Sequence, residues 1–474
     1  MNTFNSNDNK KKSVVNVIVE AMVHPSCPVE FNVLREELRT YLVKYMGSIY
    51  HEGPVNLSSA TPILQQGILQ CDVTFDGWFV SSLSTLDESD HSTNYEYGID
   101  ADQVSHIMIY MYTLNEEPPE PEEIDEPGNQ DSDPITVCET TALPHMSLHT
   151  SWEHLIFPKT LKRNLLSYAN TALLFSNKKV SSHIINWNRV LMLYGVPGTG
   201  KTTLCRALAH KLSIQTQHIF SSGGYLLEIK SHSLFSKWFS ESGKLIARLF
   251  DRIRELVEDE PDALFCVLID EVESLAGSRT ASTKSGSEPS DAVRAVNSLL
   301  TSLDSIRQYR NVLILTTTNL TDCVDSAFVD RVDWMVKIDL PNEHARYEIL
   351  RGCIMELKTK GILIMEEGHD DRSENEWYIC DYNSVLEQEI SQNIEREEQY
   401  MYQNMEREKE NCNSTPSIHL LQCARLAEGL SGRSLRKLPF QSYAFHIGTM
   451  QNPSVMDFME ALRSSISMKV CGDI

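Results

Sequence analysis

Gly195-Val196-Pro197-Gly198-Thr199-Gly200-Lys201-Thr202 fits the spacing G-x-x-x-x-G-K-[ST] in full. That spacing suits the holding of phosphate. The glycines let backbone N–H groups curl around phosphate oxygens, and the helix that follows offers its positive end to the same anion. Lys201 has the reach for β/γ-phosphates, and the Thr202 hydroxyl is suited to hold Mg²⁺.

Three further groups suit the chemistry of a bound triphosphate. Seven apolar residues, Ala263 to Ile269, end at Asp270-Glu271, a Walker B pattern. Asp270 can hold Mg²⁺ through its water shell, and Glu271 can orient or deprotonate an attacking water. Asn311 to Thr318 is a second buried-strand run and ends in Asn319, whose amide can bond a γ-phosphate or the lytic water. Arg331, in Asp330-Arg331-Val332-Asp333, and Arg433, in Ser431-Gly432-Arg433-Ser434, supply guanidinium groups. Such groups stabilise charge that builds on a transferring phosphoryl group.

These residues need elements to position them. Arg189 to Tyr194 reads as a short buried strand, and Leu204, Leu208 and Leu212 with Ala207 form one apolar helical face. Strand, loop and helix is the context the phosphate loop requires. From about 144 to 340 strand-like and helix-like runs alternate, which predicts an α/β domain with a parallel sheet. After Pro341 the pattern turns helical (Glu343–Leu357, Leu420–Leu430, Leu435–Phe445, Val455–Ile466), which predicts a lid over 341–474. An acidic stretch at about 366–412 reads as an insertion in it. Within that stretch Ser384 and Glu387 have capping-box spacing and predict the start of an exposed helix, Ser384 to Lys409. A compact α+β domain is expected at 14–113, from an alternating run at 13–22, helical spacing of Val33, Leu34, Leu38, Leu42 and Val43, and strand-like runs at 71–80 and 104–112. Residues 1–13 read as a tail. Residues 114–143 read as an acidic linker, because Glu116 to Pro134 holds five prolines and no basic residue.

Bulk properties narrow the function classes. A formal net charge of -24 over 474 residues opposes an extended nucleic-acid footprint. The eleven cysteines include no C-x-x-C pair, and Cys205 and Cys266 fall in the expected core, as in a reducing compartment. No run has the apolar length of a membrane span, so no membrane partner is expected.

The order of Gly195–Thr202, Asp270-Glu271, Asn319, Arg331 and Ser431-Gly432-Arg433 resembles the AAA+ ATPases over about 150–474. Ser231 to Ser242, Glu288-Pro289-Ser290-Asp291-Ala292, Ala327 to Arg331 and Gly429 to Arg433 are similar to the pachytene checkpoint ATPase family, the thyroid-receptor-interacting AAA+ proteins. The resemblance implies an AAA+ P-loop large domain, a helical lid and a substrate-receiving N-terminal domain. It implies a homohexamer that uses ATP and Mg²⁺ to convert closed HORMA-domain proteins, delivered with a HORMA adaptor, to the open state in meiotic and spindle checkpoint signalling. By position, Trp238 and Phe239 would grip the threaded chain, Arg433 would act within its own subunit and Arg331 on the neighbour's nucleotide. Nucleus, on chromosomes, and cytoplasm are the implied locations.

The chain departs from the family in three places. Val196 stands where close relatives often have proline, Arg331 lacks the second arginine of severing-type relatives, and the 366–412 stretch exceeds the usual lid. Other tasks stay open from the residues: a different AAA+ disassembly or severing ATPase, or a nucleotide-gated scaffold without turnover.

Overall fold

The structure is a computed structural model that describes residues 15–45, 49–50, 53–76, 99–100, 104–124, 135–181, 184–229, 242–274, 289–320, 323–364, 379–391, 415–448 and 453–471. In the N-terminal domain, β1 (Val15–Val23) is central. It runs antiparallel to β4 (Ile68–Asp76) and parallel to β6 (Val104–Tyr112), and β3 (Gly53–Pro54) edges β4. A separate ladder joins β2 (Ile49–Tyr50) and β5 (Ile99–Asp100). Strand alternation sends Val17, Val19, Ala21 and Val23 to one face, where they meet Leu34, Leu38 and Leu42 of α1 (Phe31–Tyr45). The shorter α2 (Pro62–Gly67) adds Leu64 to that core. Val33 and Val43 of α1, read with the apolar set, lie exposed instead.

The large domain is built on a seven-stranded sheet. Five strands are parallel, in the order β13 (Trp334–Lys337), β9 (Val190–Tyr194), β12 (Val312–Thr318), β11 (Leu264–Ile269) and β10 (Gly224–Ile229). Their near-continuous apolar runs follow from burial on both faces. Leu191, Leu193, Leu313 and Leu315 face α4 (Lys159–Asn177) and α5 (Lys201–Gln215), with short α3 (Ser151–His154) beside them. Val190, Met192, Val312 and Ile314 face α6 (Ser242–Asp259) and α7 (Pro289–Ile306). Cys205 and Cys266 are fully buried in the first of these layers.

The stretch expected as a linker, 114–143, instead contributes two strands. β7 (Glu120–Ile124) and β8 (Ile135–Leu143) extend the sheet antiparallel beyond β10. The large-domain sheet thus starts before residue 144, and an antiparallel pair joins its parallel core. Composition misled because proline is tolerated on an edge strand, and Pro121 lies on one. One acid of β7 is well partnered: Glu122 meets Arg252 at 3.1 Å and accepts from Thr140. Residues 125–134 lie outside the described residues.

The lid comprises α9 (Glu343–Thr359), α10 (382–391), α11 (Pro416–Leu426), α12 (Gly432–Ser442) and α13 (Val455–Cys471), preceded by short α8 (Ser326–Val329) in the large domain. Leu350, Ile354, Leu421, Leu435, Leu438 and Leu462 form its core. The acidic stretch at 366–412, expected as an insertion, is partly built into the lid. Ile379 and Val385 are buried in the lid core, so this part is integral to the lid, not an exposed insertion. The cap of α10 is Asp381, whose carboxylate accepts from Ser384 N at 3.4 Å and from Ser384 Oγ at 2.6 Å; Ser384 lies inside the helix rather than at its start. Residues 365–378 and 392–414 fall outside the described set.

A buried polar joint binds the N-terminal domain to the large one. Glu20, on the β1 face opposite the domain's core, is 4% exposed and meets Lys211 of α5 at 2.5 Å. Gln215 donates to the same carboxylate at 2.8 Å, and Lys211 also meets Glu153 at 3.0 Å. Burial alone would depress the Lys211 ammonium, but Glu20 and Glu153 hold its pKa above the ordinary value.

Candidate active site

The strand β9 ends at Tyr194, and the chain then turns through Gly195 to Gly200 into α5. Two glycines are required by contact. A side chain at Gly195 (φ +143°) would lie 2.2 Å from the Ile338 carbonyl oxygen. One at Gly198 (φ +79°) would meet Ser431 Oγ at 2.9 Å and Arg433 Cβ at 3.2 Å. The lid touches this loop directly, because Arg433 N donates to the Gly198 carbonyl at 3.0 Å. A cradle of this shape, at the N-terminus of a fifteen-residue helix, fits a phosphate group.

Lys201 is nearly buried. Its ammonium donates to the carbonyls of Gly195 and Val196, both at 2.9 Å, and to Asn319 Oδ1 at 2.8 Å. Burial pulls its pKa down, against the opposing pull of Glu273, Asp270 and Glu271. Pro197 lines the cavity, Val196 is half exposed, and Thr199 donates to the Val196 carbonyl at 2.9 Å. Thr202 donates to Asp270 Oδ1 at 2.7 Å, which puts the hydroxyl and carboxylate expected to share Mg²⁺ side by side.

Glu271 follows Asp270 with φ +53°, a left-handed conformation that costs a non-glycine residue about 1–2 kcal/mol. Its N–H donates to Thr317 Oγ1 at 3.1 Å, and Thr317 makes a short hydrogen bond to Asp270. Asn319 is held from the other side: its backbone N–H donates to Glu273 Oε1 at 3.1 Å and its side-chain amide to the same oxygen at 3.4 Å. Glu273 Oε2 is buried and has no hydrogen-bond partner among the described residues.

These groups line a cavity of about 1040 Å³ between the large domain and the lid. Its polar wall holds Lys201, Thr202, Asp270, Glu271 and Asn319; its apolar wall includes Leu155, Phe157, Leu161, Ile338 and Ile349. Such a half-polar, half-apolar cleft suits a ligand with an anionic tail and a flat apolar head. The lid closes it with Arg433, and with Arg436, which donates to the His154 carbonyl at 2.8 Å.

Arg331 is placed elsewhere. It is not among the cavity-lining residues; its guanidinium grips Asp304 of α7 at 2.7 and 3.0 Å. Two residues on, Asp333 accepts from the N–H of Asn188 at 2.7 Å and from Tyr168 Oη at 2.8 Å, which ties the arginine-bearing turn to the start of the phosphate-loop strand. Trp238 and Phe239 lie outside the described residues.

Sequence reading missed Thr317, Glu273 and Arg436. The run Thr316-Thr317-Thr318 at the end of an otherwise apolar strand is a signal for the first. The acid two places after Glu271 is a signal for the second. Among the described residues no helix is long and apolar enough to cross a membrane.

Residues 191–340 match the family model for the ATPase family associated with various cellular activities (AAA). Residues 342–470 match that for the TRIP13-like, AAA+ ATPase lid C-terminal domain. The chain is 43% identical over 362 residues to the pachytene checkpoint protein 2 homolog of Oryza sativa subsp. indica, an overlap of 75% of this chain and 69% of the relative. With the homolog of Gallus gallus it shares 43% identity over 366 residues, 77% of this chain and 76% of the relative. Among solved structures, that of C. elegans PCH-2 aligns with a TM-score of 0.68 at 30% identity, over 96% of this chain and 99% of that one.

Proposed function

This chain belongs to the pachytene checkpoint protein 2 family of TRIP13-like AAA+ ATPases, and from that premise we propose that it hydrolyses ATP to open closed HORMA-domain proteins. One observation carries the reading: the phosphate loop, the Asp270-Glu271 pair and Asn319, far apart in sequence, converge through hydrogen bonds in one cavity under the lid.

In this reading Gly195 to Thr202 wraps the triphosphate, Lys201 meets its β/γ oxygens, and Thr202 and Asp270 hold Mg²⁺. The ion, when bound, neutralises charge on the phosphates. Glu271 takes a proton from the attacking water, and Asn319 orients that water. Arg433 reports the nucleotide to the lid of its own subunit. In a homohexamer Arg331 enters the neighbour's site, which accords with its place away from its own cavity. Trp238 and Phe239 grip the substrate, and the N-terminal domain receives it with a HORMA adaptor. Direct nucleic-acid binding is not part of this reading, given the net charge of -24. It extends to residence in nucleus and cytoplasm.

The test is steady-state ATP turnover with and without a purified closed HORMA-domain protein plus its adaptor, beside the Glu271→Gln variant. The expected result is strong stimulation of the wild type and turnover lower by about 10²–10⁴ in the variant. Equal, near-zero rates in both would mean a nucleotide-gated scaffold and end this proposal.

A further inference from the structure

We propose that Thr317 is a positioning residue for hydrolysis: its hydroxyl sets the geometry of the Asp270-Glu271 pair. The inference rests on the ATPase reading of the site, and it begins at the place where the sheet stops pairing. The ladder between β11 and β12 ends at Ile269 and Thr316. One residue further, backbone pairing gives way to a side chain. Thr317 Oγ1 donates to Asp270 Oδ1 and accepts the N–H of Glu271 at 3.1 Å. A hydroxyl has one proton to give and lone pairs to receive, so this atom meets both demands at once.

The strand that carries it is central. β12 pairs with β9 on its other side, Thr317 opposite Leu193 and Thr318 opposite Tyr194, and the Thr318 carbonyl accepts from Gly195 N at 3.3 Å. One residue of β12 therefore sits between the strand that launches the phosphate loop and the strand that delivers the two acids. Its neighbours do different work. The Thr316 hydroxyl donates to the Leu191 carbonyl at 3.1 Å, and Thr318 Oγ1 accepts from Leu320 N at 3.1 Å.

Glu271 is where such a hold matters. Its left-handed backbone is disfavoured for a residue with a side chain and persists only where the surroundings fix it. Thr317 accepts its N–H directly. Thr202 donates to the same Asp270 oxygen at 2.7 Å, yet the proposed function assigns the Thr202 hydroxyl to Mg²⁺. When Thr202 turns to the metal, Thr317 remains to keep the carboxylate aimed. Thr317 is also 1% exposed and borders the cavity, so its replacement by an isosteric valine removes the hydroxyl and little else.

The experiment compares Thr317→Val with Thr317→Ser in the full chain. Three readouts are taken: the kcat and KM for ATP, the Kd for a non-hydrolysable ATP analogue, and hydrogen–deuterium exchange of the peptide carrying Glu271. For Thr317→Val we expect kcat lower by about 10–100-fold, KM and Kd within about threefold, and faster exchange at Glu271. Thr317→Ser, which keeps the hydroxyl, should recover kcat to within about fivefold and restore protection. Unchanged kcat in the valine variant, or equal losses in both variants, would overturn the proposal. Exchange is read without turnover, so a wild type that does not hydrolyse ATP fails the proposed function and leaves the Thr317–Glu271 contact still tested.

Discussion

Lys201 Nζ stands 2.8 Å from Asn319 Oδ1, a hydrogen bond between residues 118 positions apart. It joins the head of α5 to the end of β12, so the ammonium proposed to bind phosphate and the amide proposed to orient the water are set against one another. Their roles should separate on mutation. Lys201→Ala is expected to abolish detectable binding of a fluorescent ATP analogue. Asn319→Ala should keep its Kd within a few-fold and lose about 10²–10³ in kcat. Titration and steady-state kinetics on the same preparations check this; a large Kd loss in Asn319→Ala would refute the division.

Arg331 lies outside its own cavity and is paired with Asp304. If it acts on a neighbour, Arg331→Ala should bind nucleotide normally and lose about 10³–10⁵ in turnover. Mixing Arg331→Ala with Glu271→Gln subunits should then restore part of the rate, because some interfaces regain an intact glutamate facing an intact arginine. Mixtures no faster than the separate variants would place Arg331 outside the neighbour's chemistry.

The Glu20–Lys211 pair is a buried charge contact between the two domains, with side chains 5% and 8% exposed. Removing Glu20 leaves the buried Lys211 ammonium with Glu153, whose side chain is half exposed, and takes the acceptor from Gln215. Glu20→Ala is expected to destabilise the chain by about 2–3 kcal/mol, less than for a wholly unpaired buried charge because Glu153 stays beside Lys211, whereas Glu20→Leu with Lys211→Met should come within about 1–2 kcal/mol of wild type. Urea denaturation measures both. A Glu20→Ala chain as stable as wild type would mean that the joint opens to water.

His210 makes the same region sensitive to acid. Burial, then Lys211 and His149, pushes its pKa down to about 4, with Glu153 opposing and His145 adding to the fall. Its Nδ1 accepts from the His145 N–H at 3.3 Å, which suits the neutral ring. The unfolded chain takes up a proton near pH 6.5 and the folded one only near pH 4, so stability falls as pH drops through that window. The loss from this group between pH 7 and pH 5 is about 2 kcal/mol. His210→Gln, which cannot titrate, should flatten that part of the melting-temperature profile; an unchanged slope would acquit His210.

Much of the site could be read from the sequence because its code is local. Gly195 to Thr202 is contiguous, Asp270 follows its own buried strand, and Asn319 ends another. The helical lid and parallel core followed for the same reason, since period and apolar run length report burial directly. What escaped depends on distant partners. Glu122 and Pro121 look like linker until Arg252 and a neighbouring strand are in place. Asp381 becomes a cap only once Val385 finds the lid core. Glu20 is the lone charge of its strand, but nothing nearby in the sequence points to Lys211. Thr317 was hidden by its two like neighbours, which share its type but not its contacts.

Helix α5 touches both the phosphate loop and the N-terminal domain. Its first residue meets the phosphate loop, and its eleventh and fifteenth, Lys211 and Gln215, hold Glu20 of the N-terminal domain. The helix is about 22 Å long, so a tilt of about ten degrees at its phosphate-loop end would carry the far tip through about 4 Å. The far tip bears on β1 through Glu20, so any such tilt would reach the sheet of the N-terminal domain at an interior strand.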